Sequence, residues 1–112
     1  MAGERDVTPE QAAALRRDQD AQLIDVREDY EWETGRIEGA RHVVLGDVAA
    51  QASTIDQERP VVFYCRVGSR SAMAADAFRR AGYEAYSLDG GLEAWAGGGH
   101  PLEPEDGSVA PH

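Results

Sequence analysis

Pro60-Val61-Val62-Phe63-Tyr64-Cys65-Arg66-Val67-Gly68-Ser69-Arg70-Ser71 is the stretch on which the reading of this chain turns. Val61 to Tyr64 is a wholly apolar, β-prone run, the pattern of a central parallel strand buried on both faces. From Ser69 or Arg70 to Ala81 the pattern is helical, with Ala72, Met73, Ala75, Ala77 and Phe78 as apolar positions and Gly82 as the stop. The only cysteine, Cys65, therefore falls where a strand ends and a tight loop leads into a helix. Loop N–H groups and the positive end of a helix dipole favour thiolate over thiol at such a place. Arg66 and Arg70 flank the same loop, so the residue types suit a nucleophilic sulfur and an anionic substrate.

Outward from this segment, strands alternate with helices. Thr8-Pro9-Glu10-Gln11 is a helix start, with Thr8 as N-cap, Pro9 at the first helical position and Gln11 closing a capping box. That helix is expected to run to about Arg17, where Asp18 and Asp20 break it. Gln22 to Val26 reads as a buried strand, Glu28 to Thr34 as a short helix ended by Gly35, and Ala40 to Leu45 as a second extended piece. A short helix is expected over Asp47 to Ala52. After the central helix come a strand from Tyr83 to Leu88, a turn at Asp89-Gly90-Gly91 and a short helix from Leu92 to Ala96. From Pro101 the chain turns polar and Pro/Gly-punctuated, and it is expected to fray. The alternation argues for an α/β domain with a mostly parallel sheet. Ligands of such sheets bind outside the carboxyl ends of the strands, which brings Asp25-Val26-Arg27, Cys65 and Asp89-Gly90-Gly91 toward one pocket.

The chain has 112 residues with 42% hydrophobic content, enough for one core and one domain. No apolar run approaches a membrane span and the N-terminus lacks an apolar signal region, so a cytoplasmic location is the default expectation. A lone cysteine forms no internal disulfide, in keeping with a reducing compartment. The net charge of −10 speaks against nucleic acid and anionic membrane as partners. It also repels an anionic substrate, except where local arginines act within the Debye length of about 8 Å. All 11 basic residues are Arg, so no lysine is present to form a Schiff base.

Four stretches carry a family likeness in their order and spacing. They are Leu23-Ile24-Asp25-Val26-Arg27, then Gly35-Arg36-Ile37-Glu38-Gly39-Ala40, then Tyr64 through Ser71, then Gly82-Tyr83 followed by Leu88-Asp89-Gly90-Gly91-Leu92-Glu93-Ala94-Trp95. Together they resemble a single-domain rhodanese, a sulfurtransferase module. The likeness spans roughly residues 8 to 102 and leaves 103–112 as an expected flexible tail of a single domain covering 1–112. It implies a three-layer α/β domain, with a mostly parallel central sheet of about five strands and helices on both faces. Two positions depart from the family pattern. Arg36 and Glu38 stand where His and Pro are usual, and Val44 stands where a proline often follows the next strand. The active loop has no departure.

The resemblance implies that Cys65 is the catalytic nucleophile and that Arg66, Val67, Gly68, Ser69 and Arg70 form the loop that binds substrate. Cys65 to Arg70 spans six residues, C-x4-R, and Ser71 occupies the position where a cysteine-dependent phosphatase needs the arginine of C-x5-R. The longer loop wraps a phosphate that its terminal Arg grips bidentately; the shorter one makes a smaller cradle, which in the family goes with sulfur transfer. The implied cycle is covalent and ping-pong. The Cys65 thiolate takes the outer sulfur of thiosulfate or a persulfide, and a thiophilic acceptor (cyanide in an assay, a thiol in the cell) removes it. Loop N–H groups from Arg66 to Arg70 would stabilise the anion, and Gly68 would let the backbone turn its N–H inward.

Asp25 and Arg27 are expected to support the site structurally, by capping and pairing. Arg36 and Arg41 read as a solvated face, His42 as packed, and Trp32 and Trp95 as core and rim. His100 and His112 have no metal-ligand set beside them, so no metal or cofactor is expected. The expected partners are a small anionic sulfur donor and a thiol acceptor, with a sulfur-relay protein as a further candidate; a monomer is the simplest expectation. Two other readings stand beside this one. The first is a rhodanese-like binding or regulatory module without turnover. The second is a phosphatase or arsenate reductase, against which Ser71 counts.

Overall fold

The computed structural model describes residues 6–110. Its centre is a five-stranded sheet in which every pair is parallel. The strands are β1 (Asp6–Val7), β2 (Gln22–Asp25), β4 (Arg41–His42), β5 (Val61–Tyr64) and β6 (Ala85–Leu88), in the order β1-β6-β5-β2-β4. A two-stranded antiparallel ribbon pairs β3 (Arg36–Ile37) with β7 (Leu102–Glu103). The helices are α1 (Pro9–Gln19), α2 (Asp29–Thr34), α3 (Ser69–Arg80) and α4 (Gly91–Gly97). This is the α/β architecture expected from the sequence.

The all-apolar β5 lies at the middle of the sheet, flanked by β6 and β2. Side chains of a strand alternate between faces, and this alternation sorts the core. Val61, Phe63 and Cys65 face one side with Ile24, Val26 and the α3 residues Ala74, Ala75 and Phe78. Val62 and Tyr64 face the other with Leu23, Leu88, Ala12 of α1, and Leu92 and Trp95 of α4. Cys65 is one step past the strand, so parity directs its side chain to the α3 face.

The start of α1 is as the sequence implies: Gln11 N donates to Thr8 Oγ1 at 3.1 Å and Thr8 N donates to Gln11 Oε1 at 2.9 Å. The helix runs past Arg17, however. Asp18 stays helical beside Arg17, at 3.0 Å, and only Asp20 breaks the helix, in the left-handed conformation with φ 56°. The short helix expected over Asp47 to Ala52 is replaced by two 3₁₀ turns, Leu45–Asp47 and Ala52–Thr54. Here the backbone bonds close mostly at three residues, as at Asp47 N to Val44 O (2.8 Å), Thr54 N to Gln51 O (2.9 Å) and Ile55 N to Ala52 O (3.0 Å), and Ala52 O also accepts from Tyr83 Oη at 2.9 Å. The extended piece from Ala40 is paired as a strand only at Arg41–His42, yet Val43 N and Leu45 N continue to bond Asp25 O and Val26 O at 3.0 and 3.1 Å.

The largest departure concerns the segment from Pro101, expected to fray. Residues 102–110 return across the domain. β7 pairs with β3, Ser108 N donates to Thr34 O at 3.1 Å, Gly39 N donates to Glu103 Oε1 at 2.7 Å, and Trp95 Nε1 reaches Pro101 O at 3.0 Å. Val109 packs on the Trp95 side of the core and Ala110 is buried. Composition alone hides these partners because, Trp95 apart, each lies far away in sequence. The strap needs Gly35, where an added Cβ would sit 2.3 Å from Ser108 O. Gly35→Ala should therefore cost about 1–3 kcal/mol, read as a lower urea midpoint at unchanged slope. An unaltered midpoint would show that the strap is not held against Gly35.

Candidate active site

β5 delivers Cys65 to the carboxyl edge of the sheet, and Gly68, the N-cap of α3 at φ 117°, turns the chain into the helix. Few residues other than glycine adopt that conformation. The turn aims Gly68 N at Cys65 Sγ, 3.1 Å away. Ser71, on the first turn of α3, places its hydroxyl 3.5 Å from the same sulfur and 2.8 Å from the hydroxyl of Ser87 on β6. Ser71 Oγ also lies 3.1 Å from Gly68 O. Both serines and the thiol are buried. Burial pushes the Cys65 thiol up, but the Ser71 hydroxyl and the N–H groups of Ser71, Gly68 and Arg70 more than reverse this and hold it below the ordinary thiol value.

The loop is braced from behind by α4. Leu92 N donates to Cys65 O at 2.8 Å and Glu93 N donates to Arg66 O at 3.1 Å. In a trans peptide the N–H points opposite the C=O, so this pairing turns the following loop N–H groups away from α4. Such an approach demands glycine at position 91. Its φ is 60°, and a Cβ there would lie 2.4 Å from Arg66 O and 2.5 Å from Cys65 O. Asp89-Gly90-Gly91 thus touches the Cys65 loop through backbone.

Both loop arginines are paired with carboxylates. Arg70 makes a bidentate contact with Glu31 of α2, Nη1 to Oε1 at 2.8 Å and Nη2 to Oε2 at 3.0 Å. Glu31 is wholly buried, while Arg70 keeps 16% of its side chain exposed. Burial raises the Glu31 carboxyl, but bonds from Arg70 and from Glu28 N, with the Arg70 and Arg27 charges, hold it below the usual carboxylate range. Glu31 in turn holds the Arg70 guanidinium more firmly protonated. Arg66 Nη2 meets Glu93 Oε2 at 2.7 Å near the surface. Neither carboxylate was anticipated as part of the site. Glu31 carries one local signal, since it falls three residues after the Glu28 N-cap and closes a capping box, but its bond to Arg70 spans 39 positions.

Asp25 and Arg27 pair with each other. Arg27 Nε and Nη2 bond the Asp25 carboxylate at 2.9 and 2.7 Å, Arg27 Nη2 also reaches Gly35 O at 2.7 Å, and both side chains are fully buried. The pair thus ties the end of β2 to the end of α2, the helix that presents Glu31. His42 is packed, stacked on Trp32 at 4.8 Å with Nε2 2.7 Å from Arg27 O. Arg36 lies over Trp32 at 4.8 Å, Arg41 bonds Thr54, and Trp95 is core. His100 meets Glu10 at 3.3 Å, and His112 lies outside the described residues. Val67 and Ser69 of the loop are exposed. Among the described residues no group of three or more His, Cys, Asp or Glu is placed to hold a metal ion.

What this arrangement offers chemically is a buried, anion-stabilised sulfur at a loop, with hydroxyl and amide donors converging on it. The chain is 39% identical over 90 residues to a protein named thiosulfate sulfurtransferase GlpE from Pseudomonas aeruginosa, covering 80% of this chain and 81% of that protein. A crystal structure of a rhodanese-related protein from Thermoplasma volcanium superposes with a TM-score of 0.80 at 20% identity, covering 88% of this chain and 96% of that one. A Rhodopseudomonas palustris structure described as of unknown function and a possible tyrosine phosphatase gives 0.77 at 27% identity, covering 88% and 84%. Residues 8–97 match the rhodanese-like domain, and this chain belongs to that family.

Proposed function

We propose that this protein is a sulfurtransferase that carries a sulfane sulfur as a persulfide on Cys65. The observation that carries the proposal is the thiol held 3.1 Å from Gly68 N and 3.5 Å from Ser71 Oγ in a six-residue loop. In the first step the Cys65 thiolate bonds the outer sulfur of a donor such as thiosulfate, the donor's S–S bond breaks, and sulfite leaves with its electron pair. In the second, a thiolate or cyanide bonds the terminal sulfur and Cys65 leaves as thiolate. Sulfur arrives and departs without an obligatory proton, so the cycle needs no general base and no cofactor. Loop N–H groups and the Ser71 hydroxyl stabilise the anion at each stage. A reducing cytoplasm suits a lone thiolate that must stay out of disulfides.

The likeness to a possible tyrosine phosphatase makes phosphate-ester hydrolysis the second reading. Two features weigh against it. Arg70 is bonded at both Nη atoms by a buried carboxylate, and the next position holds Ser71, whose hydroxyl is turned to the sulfur. Neither residue presents a free guanidinium fork to a phosphate.

Incubation with thiosulfate should add one sulfur atom to the intact protein, cyanide should remove it as thiocyanate, and Cys65→Ala should abolish both. Hydrolysis of an aryl phosphate by the wild type, with no sulfur gained, would establish the second reading. The lowered thiol pKa sets a further expectation. The thiolate forms at lower pH than for a free cysteine, so its ultraviolet absorbance should titrate early. Ser71→Ala removes a donor to the anion and should move that titration to higher pH by about one unit, the size of one hydrogen bond to a charged group. No upward movement would remove Ser71 from the site's electrostatics.

A further inference from the structure

The arginines divide by what holds them. Around Cys65 each is met by a carboxylate: Arg70 by Glu31, Arg66 by Glu93 and Arg27 by Asp25. At the opposite, amino edge of the sheet two arginines are held differently. Arg16, in the last turn of α1, donates Nη1 to Glu38 O at 2.6 Å, and its guanidinium lies 5.6 Å from the centre of the Trp95 ring. Arg41, at the start of β4, donates Nη1 to Thr54 O at 3.1 Å and Nη2 to Thr54 Oγ1 at 2.6 Å. Among the described residues, neither has a carboxylate within ion-pair distance. Carbonyl, hydroxyl and ring therefore fix these two guanidinium groups without cancelling their charge, and most of their N–H donors remain uncommitted.

Both line one pocket of about 390 Å³, together with Arg59, Asp20, Thr54 and Gly39. Arg59 donates Nε to Asp20 O at 2.8 Å and lies 3.3 Å from the Asp20 carboxylate. That pair cancels, so the lining keeps the charges of Arg16 and Arg41. The volume is one that small organic ligands fill. Arg59 comes before β5 and Cys65 after it, so the length of that strand, roughly 13 Å at the usual rise, stands between the pocket and the sulfur. The pocket is therefore no part of the site at the carboxyl edge.

We infer that this pocket is a second anion site, for a small molecule that bears a phosphate group. A carboxylate is planar, and one guanidinium fork satisfies it. A phosphate monoester presents several peripheral oxygens and close to two negative charges. It can accept from Arg16 and Arg41 together and match the charge of both, and the pocket leaves room beside it for the rest of the ligand. Because both guanidinium groups are already held by Glu38 O, Trp95 and Thr54, little ordering is left for the ligand to impose. On a chain of net charge −10 the attraction is local, acting within the Debye length of about 8 Å. Binding is reversible, and it is independent of Cys65 and of sulfur transfer.

The test titrates isotope-labelled protein with methyl phosphate and, separately, with succinate at constant ionic strength, and follows the amide chemical shifts. Methyl phosphate should saturate, with the shifts centred on Gly39, Arg41 and Thr54. Succinate should bind about five-fold more weakly or worse. Arg16→Gln and Arg41→Gln should each weaken methyl phosphate about ten-fold, the worth of one charge-assisted contact, and leave the loading of Cys65 from thiosulfate unchanged. Circular dichroism checks that both variants stay folded. Shifts centred on Arg66 to Ser71 would put the anion in the Cys65 loop and overturn the second site, and the wild type alone decides this even if a variant fails to fold. Equal binding of succinate would overturn the phosphate assignment. Absence of saturation, or an affinity that neither substitution moves, would overturn the site itself.

Discussion

A buried anion must be surrounded by donors or it does not stay ionised, and the site is arranged around that requirement for Cys65. The decisive contact is the one between the Cys65–Gly68 loop and the first residues of α4. By donating to Cys65 O and Arg66 O, Leu92 and Glu93 N–H take up the loop's outward carbonyls. The donors that reach the sulfur come from farther along the loop and from the start of α3: the N–H groups of Gly68, Arg70 and Ser71 and the Ser71 hydroxyl. Gly91 makes the approach sterically possible and Gly68 makes the turn that aims an N–H at Sγ. A single pair of backbone bonds thus ties the Cys65 loop, at the end of the sheet, to the N-terminus of α4.

The same requirement accounts for the serines. Ser71 has one hydroxyl proton and several neighbours: Cys65 Sγ, Gly68 O and Ser87 Oγ. With sulfur ionised, the proton is best placed on Sγ, and Ser87 can then donate to Ser71 Oγ across 2.8 Å. Two buried hydroxyls are satisfied together, which a lone serine beside a thiolate would not achieve. Ser71 is also the position at which a phosphatase loop would carry arginine. The residue that separates the two chemistries by loop length therefore serves the thiolate directly.

Legibility in the sequence followed the range of the interactions. The strand at Val61–Tyr64 and the helix after Ser69 were readable to within a residue, because apolar run, period and stop signal all lie within the elements themselves. The position of Cys65 at the end of a strand and before a helix was readable for the same reason, being set by a strand, a glycine and a helix start in one segment. Glu31 was not, because its pairing with Arg70 joins helices far apart in sequence. The strap over 102–110 was missed on the same ground: its two-residue strand has no pattern, and its partners are at Arg36–Ile37 and Thr34. The turns around Leu45 and Ala52 show the converse error, a helical pattern whose backbone bonds close mostly at three residues, in two 3₁₀ turns.

Arg70 shows why pairing matters more than residue type. An arginine in a cysteine loop suggests an oxyanion grip, and in a chain of net charge −10 it suggests a local positive field. Bonded to a buried carboxylate at both Nη atoms, it supplies neither in full. Its work is to fix the start of α3 against α2, and α2 is itself tied to the end of β2 through Arg27 and Gly35 O. The groups that stabilise the sulfur are then the Ser71 hydroxyl and the oriented N–H groups of Ser71, Gly68 and Arg70, dipoles that act over a few ångströms.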